Sequence, residues 1–224
     1  SDVPFSASYP QPRALTLSGI ARVVEAFRSA ARRALTAGFQ VAEVHAAHGY
    51  LLHEFLSPLS NRRTDHYGGS FDNRARLTLE VAAAVRDVWP AELPVFVRIS
   101  ATDWVEGGWD VDQSVQLAAR LAALGIDVVD CSSGGLSPQQ QITAGPGYQV
   151  PFARRVKAES NILTAAVGLI TDPTQANAIV QDGDADMVLL ARELLRNPHW
   201  PLLAAHALGA EIAWPSQYER ARPR

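Results

Sequence analysis

Strand-like apolar runs alternate with amphipathic helices along the whole chain, which predicts an α/β protein with a parallel sheet and right-handed crossovers. Two further observations narrow the class to a (β/α)8 TIM barrel that lacks its first three βα units in this chain. No G-x-G-x-x-G turn follows any strand, which counts against the dinucleotide-binding form of an open doubly wound sheet. The polar residues suited to chemistry, His45 and His48, Arg98, Ser132 and Ser133, Gly168 and Arg192, fall at or just past the C-terminal ends of successive strands, where a barrel keeps its active site. About five strands are legible where a closed barrel needs eight, and 224 residues fall short of the roughly 250 typical of the fold. The start at Ser1-Asp2-Val3-Pro4, with neither an initiator Met nor a charged-then-apolar leader, favours first units that lie elsewhere over an open half-barrel. One domain is expected over residues 1–224, ending in a tail from about residue 209.

The elements follow in order. Ile20, Val23, Val24, Phe27, Ala31 and Leu35 recur at three- and four-residue spacing, so Ser18–Leu35 is predicted helical and is stopped at Gly38. Phe39–Val44 reads as a short strand, Asn61–Asn73 as a long polar loop, Asn73–Val88 as a helix and Val95–Ile99 as a β-rich strand. A loop around Gly107-Gly108, helix Val111–Leu124 and strand Ile126–Cys131 come next, then a Gly/Ser/Pro/Gln loop, helix Pro151–Ala158 and strand Ile162–Val167. Asp172-Pro173 is a strong helix start, because Asp caps free N–H groups and Pro lacks a donor that would go unused there. Helix Pro173–Gln181, strand Met187–Leu190 and helix Glu193–Ala207 complete the pattern.

Composition excludes several classes. With 47% hydrophobic and 19% charged residues the chain is globular, and a net charge of −3 with interspersed signs gives no nucleic-acid or membrane surface. The single cysteine, Cys131, cannot form an internal disulfide, which suits a cytoplasmic protein. It ends an apolar strand and reads as a small buried residue, and the tryptophans Trp104, Trp109, Trp200 and Trp214 read as packing or loop residues.

The densest candidate site is His45-Ala46-Ala47-His48-Gly49-Tyr50, directly after a strand. Neutral imidazoles can donate hydrogen bonds to a carbonyl or phenolate oxygen, and a nearby tyrosine hydroxyl can pass a proton. A metal reading is weaker: His53-Glu54 is followed by Phe55, Leu56 and Ser57, so the His-Glu-x-x-His pattern is absent. Histidines merely satisfied within a loop are the plain alternative. Arg98 ends an apolar strand and needs an anion, an electron-rich ring or an ion pair, for which Asp103 and Glu43 are the candidates. Gly168, Ala191 and Arg192 end the last two strands, where barrels receive phosphate on backbone N–H groups and an arginine.

His45-Ala-Ala-His48-Gly-Tyr50-Leu-Leu-His-Glu-Phe-Leu-Ser-Pro-Leu-Ser-Asn61-Arg62, followed by Tyr67-Gly68-Gly69-Ser70 and Asn73-Arg74, closely resembles the old yellow enzyme family of FMN-dependent ene-reductases. The resemblance continues through Val97-Arg98-Ile99-Ser100, Asp130-Cys131-Ser132-Ser133-Gly134, Val167-Gly168 and Arg192-Glu-Leu-Leu-Arg196. It implies FMN at a barrel mouth, with Arg98 beside the flavin N1/O2 edge and with Gly168, Arg192 and the Ala191 backbone at the phosphate. The family usually has Gly before that arginine, so Ala191 fits if its backbone avoids positive φ. The resemblance further implies that His45 and His48 hold the oxygen of an α,β-unsaturated carbonyl and that Tyr50 protonates the α carbon. Hydride would pass from NADPH or NADH through flavin N5 to the β carbon. The ending Gln217-Tyr218-Glu219-Arg220 resembles the thermophilic-like branch, implying a homodimer or homotetramer in which Arg220 enters the neighbour's site. Family members carry flavin contacts on three earlier strands, so an additional N-terminal portion is expected. The competing functional classes are a non-catalytic barrel fragment acting as an assembly module and a phosphate-substrate lyase or isomerase using Gly168 and Arg192.

Overall fold

In the computed structural model, which describes residues 1–223, five parallel strands form one sheet: β1 (Ala42–Ala46), β2 (Val95–Ser100), β3 (Val128–Ser132), β4 (Leu163–Ala166) and β5 (Met187–Val188). Their order in space is their order in sequence, and every pairing is parallel. A doubly wound sheet reverses its order at a switch point, whereas a barrel adds each new strand beside the last. The sequential order is therefore that of a barrel segment.

The helices are α1 (Leu17–Thr36), α2 (Leu51–Leu56), α3 (Phe71–Val88), α4 (Val111–Ala123), α5 (Val150–Ser160), α6 (Pro173–Gln181), α7 (Arg192–Arg196) and α8 (Trp200–Ala207). A 3-10 helix covers Ser216–Ala221. Four of them open on side-chain caps: Thr16, Ser70, Asp110 and Asp172 accept from Gly19, Asn73, Gln113 and Gln175 N–H, each cap worth about 1 kcal/mol. Pro173 occupies the first position of α6, as the Asp172-Pro173 pair predicts.

Register sorts strand residues into two faces. Val44 and Ala46, Val97 and Ile99, Val129 and Cys131 turn toward the helices and join the main core. Glu43, His45, Phe96, Arg98, Val128, Asp130 and Leu163 occupy the opposite, concave face. The N-terminal end of the sheet is pinned by acids. Asp127 accepts from Val95 N–H (2.8 Å) and Asp186 from Thr164 N–H (2.8 Å), so the ends of β2 and β4 find acceptors.

Several boundaries differ from expectation. The first strand is Ala42–Ala46 and not Phe39–Val44: Phe39 and Val41 are apolar yet exposed, and pairing begins only where Ala42 N–H meets Pro94 C=O. The six-residue α2 follows β1 directly, too short for a helical period to stand out in sequence. The last strand covers only Met187–Val188 of the expected Met187–Leu190. The expected helix Glu193–Ala207 is two helices, because Pro198 has no N–H to donate and disfavours helical backbone at Asn197.

Candidate active site

The C-terminal ends of the strands converge on a cavity of about 390 Å³ walled by His48, Arg98, Ser132, Gly168, Ala191 and Arg192 among others. That size lies within the roughly 300–1,000 Å³ usual for small-molecule sites. Five of the eight sequence-chosen residues, His48, Arg98, Gly168, Ala191 and Arg192, line this cavity, and His45 and Tyr50 stand beside His48 at the same end of the sheet. His45 lies beside Arg98 in the β1–β2 register, and its ring centroid is 5.3 Å from that of His48 and 5.2 Å from that of Tyr50. Tyr50, the N-cap of α2, stands exposed at the rim. Arg220 lies apart, exposed in the Ser216–Ala221 turn, outside the residues that line the cavity.

Both histidines are kept neutral. Burial lowers the His45 pKa, helped by the positive charge of Arg98. The same two causes act more strongly on His48, whose pKa falls to about 4. The tautomer of His48 follows from its neighbours. The Gln149 side-chain Nε2 donates to Val167 C=O (3.0 Å), which fixes its Oε1 toward Ser133 Oγ (2.5 Å) and Ser132 Oγ (3.4 Å). Ser132 therefore donates to Gln149, and its oxygen receives the Nε2–H of His48 at 2.7 Å. Among the described residues no side-chain hydrogen bond engages His45, so its N–H is free for a ligand.

Arg98 pairs with neither Asp103 nor Glu43. Its Nε is 3.0 Å from Asp130 Oδ2, a carboxylate next to it on β3 and fully buried. The two groups are close but off line, so Arg98 Nε and both Asp130 oxygens lack an aligned hydrogen-bond partner. Burial, reinforced by the Glu43 carboxylate and opposed by Arg98, raises the Asp130 pKa to about 7. Asp103 instead belongs to a buried cluster with His53. Cys131, beside Asp130, is fully buried, and its thiol pKa is pushed far up by that burial.

The anion end is shaped by backbone. Gly168 has φ +129°, and a Cβ there would come within 3.0 Å of Gln149 Nε2 and 3.2 Å of the Tyr148 ring, so only glycine fits without displacing them. Ala191 has φ −109°, which meets the condition for an alanine before Arg192. Arg192 makes no ion pair among the described residues and borders the cavity. Trp109 is buried and donates to Ser114, Trp104 packs edge-on against Phe152, and Trp200 donates to Thr171 C=O, all structural uses. Asp130, Tyr148, Gln149 and Arg196 were not legible as site residues. Asp130 looks like part of an apolar strand until register sets it beside Arg98, and Gln149 is joined to Ser132 only by the fold.

Fold and site together define a class: a parallel (β/α) barrel chain whose strand ends gather two neutral imidazoles, a buried-side arginine and a glycine–arginine anion corner. The chain belongs to the NADH:flavin oxidoreductase / NADH oxidase family, whose model matches residues 2–211. It is 52% identical over 220 residues to an NADPH dehydrogenase of Geobacillus thermodenitrificans and 50% identical over 221 residues to one of Halalkalibacterium halodurans. These matches cover 98% and 97% of this chain but 64% of each relative, so the chain spans just under two thirds of their length. Among solved structures it resembles morphinone reductase (34% identity, TM-score 0.74, 93% of this chain and 54% of that one). A 2-naphthoyl-CoA reductase complex aligns with TM-score 0.83 at 28% identity, covering 92% of this chain and 32% of that one. No helix among the described residues is long and apolar enough to cross a membrane.

Proposed function

We propose that this chain forms the substrate and phosphate side of an FMN-dependent NAD(P)H oxidoreductase that reduces the C=C bond of α,β-unsaturated carbonyl compounds. The single observation that carries the reading is the meeting of His48, Arg98 and the Gly168–Arg192 corner around one cavity, with the second neutral imidazole, His45, 5.3 Å from His48 between ring centroids. The residues fit a flavin mononucleotide. The off-line, buried Arg98 Nε suits an electron-rich ring edge, Gly168 leaves backbone space where a side chain would intrude, and Arg192 is a free cation for a phosphate. When bound, the flavin would supply hydride transfer from a nicotinamide to the substrate's β carbon.

The chain's own residues do the rest. His45, with no competing partner, donates to the carbonyl oxygen. His48 shares its Nε2–H with Ser132 and adds a second donor when that oxygen arrives. Two donors aimed at a developing oxyanion polarise the alkene and stabilise the enolate. Tyr50 delivers the proton to the α carbon from the rim. Arg98, backed by Asp130, holds positive charge at the cavity wall.

The concave face supports a further part of the proposal. Leu163 is 51% exposed there, and β1 and β5 are open edges, so an N-terminal portion supplying three more strands would close the barrel. Homo-oligomers in which Arg220 reaches a neighbour's site, small enones or enals as substrates, and a cytoplasmic location belong to the same proposal. A second reading, an assembly module needing that complementary portion before any catalysis, is favoured by the same open edges. An absorbance spectrum across the flavin region, taken after adding FMN to the purified chain and removing the excess, with its mass measured alongside, separates the two. Retained flavin and enone turnover support the enzyme, a colourless aggregating chain supports the module, and a colourless folded monomer contradicts the flavin reading.

A further inference from the structure

Two fully buried polar residues remain outside the mechanism above. His53 and Asp103 each have zero exposure, come from different βα units and meet at 2.8 Å between His53 Nε2 and Asp103 Oδ1. The other imidazole nitrogen, Nδ1, accepts from the backbone N–H of Gly49 at 3.0 Å. Since that backbone can only donate, Nδ1 carries no proton and Nε2–H must point at the carboxylate. The second oxygen of Asp103 accepts from Ser57 Oγ (2.6 Å) and Trp109 N–H (2.7 Å). Every partner in this chain therefore has a fixed direction, from the Gly49 amide through the ring to a carboxylate seated between two further donors.

The place where the chain ends is what gives it a function. Gly49 directly follows His48, whose φ of +59° lies in the left-handed region, uncommon for a residue other than glycine. On one side, His48 N–H is held by Ser100 Oγ at 2.9 Å. On the other, Gly49 packs so closely on the next loop that a Cβ would fall 2.3 Å from Gly135 C=O. His53 reaches back from the third position of α2 past the N-cap Tyr50 and secures the amide immediately after this left-handed residue.

We infer that His53, oriented by Asp103, is a positioning residue that holds the His48–Gly49 turn, and through it the donor of His48, in register for a substrate oxygen. The inference rests on the proposed function for its substrate and on geometry alone for the turn. Both ring nitrogens of His53 are engaged by protein partners, Gly49 N–H on one side and Asp103 on the other.

Three measurements test it. In the wild-type chain, nitrogen-15 NMR of the imidazole should show the Nε2–H tautomer for His53, and finding the Nδ1–H tautomer overturns the inference whatever the variants do. His53→Gln can accept at one end of its amide and donate at the other, so it should keep the slow exchange of the Gly49 amide. His53→Met and His53→Leu have no donor and no strong acceptor, and their Gly49 amide should exchange about tenfold faster. With FMN and NADPH supplied, the KM for 2-cyclohexenone should rise about tenfold or more in His53→Leu with a smaller change in kcat, and return in His53→Gln. If His53→Leu does not fold, the Gln and Met pair carries the test. Equal Gly49 exchange in the Gln and Met variants overturns the role of the dyad. Correct tautomer and exchange with no enone turnover in the wild type leaves the turn-holding role intact and refutes the proposed substrate instead.

Discussion

The two faces of the same five strands are built to different standards. Toward the helices, Ala46, Val97, Ile99, Val129 and Cys131 are all at zero exposure and form a sealed apolar layer. On the concave face, residues one step along the same strands are Glu43, His45, Arg98 and Asp130, with Leu163 half in solvent. Alternation along a strand lets fold and chemistry be specified by neighbouring residues with little interference. The outer face is complete within this chain, whereas the inner face holds charges and exposed apolar surface that only another segment or a ligand would cover.

That contrast makes its largest prediction on stability. Ile99→Ala opens a cavity in the sealed layer and should cost about 2–5 kcal/mol, whereas Leu163→Ala on the open face should cost under about 1 kcal/mol. Denaturant unfolding of both variants measures it. Equal losses would mean that the concave face is also packed in solution. Next in size, His45→Ala should lower the rate of enone reduction about 10²- to 10³-fold, as for a missing oxyanion donor, with much less effect on flavin reduction by NADPH. Stopped-flow measurement of the two half-reactions decides, and an equal loss in both would move His45 from substrate to flavin or fold. Gly168→Ala should cost about 1–3 kcal/mol of FMN affinity through its φ of +129° and the approach of its new Cβ to Gln149 and Tyr148. Flavin fluorescence titration would show that shift, and unchanged affinity would remove Gly168 from the anion corner.

The same contrast explains what the sequence disclosed. Helix caps and apolar periods act locally, so Asp172-Pro173, the α1 repeat and the β2 run Val95–Ser100 were legible to within a residue or two. The His45–Tyr50 cluster was legible because its members are adjacent in sequence and meet directly in space. What stayed hidden depends on pairing between strands. Asp103 was a reasonable partner for Arg98 on charge alone, yet the register delivers Asp130 to Arg98 and leaves Asp103 for His53. Exposure defeated the first strand boundary, because an apolar Phe39 in solvent looks the same in sequence as one in a core.

The smallest effect in the wild type is the pH dependence of its stability, because buried Asp130 and half-buried His48 on the inner face pull it in opposite directions. Asp130 titrates near 7 in the folded chain against an ordinary 3.8, so between those values the folded state holds a proton that the unfolded state has lost, and stability falls as pH rises. His48 titrates near 4 against an ordinary 6.5, so over that interval the unfolded state holds the extra proton, and stability rises with pH. Across pH 4 to 6.5 the two contributions largely offset. Removing either group should uncover the other. Asp130→Asn should give stability that climbs with pH through this range, and His48→Asn should give stability that declines, asparagine being chosen because it tolerates the left-handed backbone at that position. Urea unfolding at a series of pH values reads both slopes. If the two variants track the wild type, then water or a covering segment already solvates these groups, and the concave face is less dry at Asp130 than its burial implies.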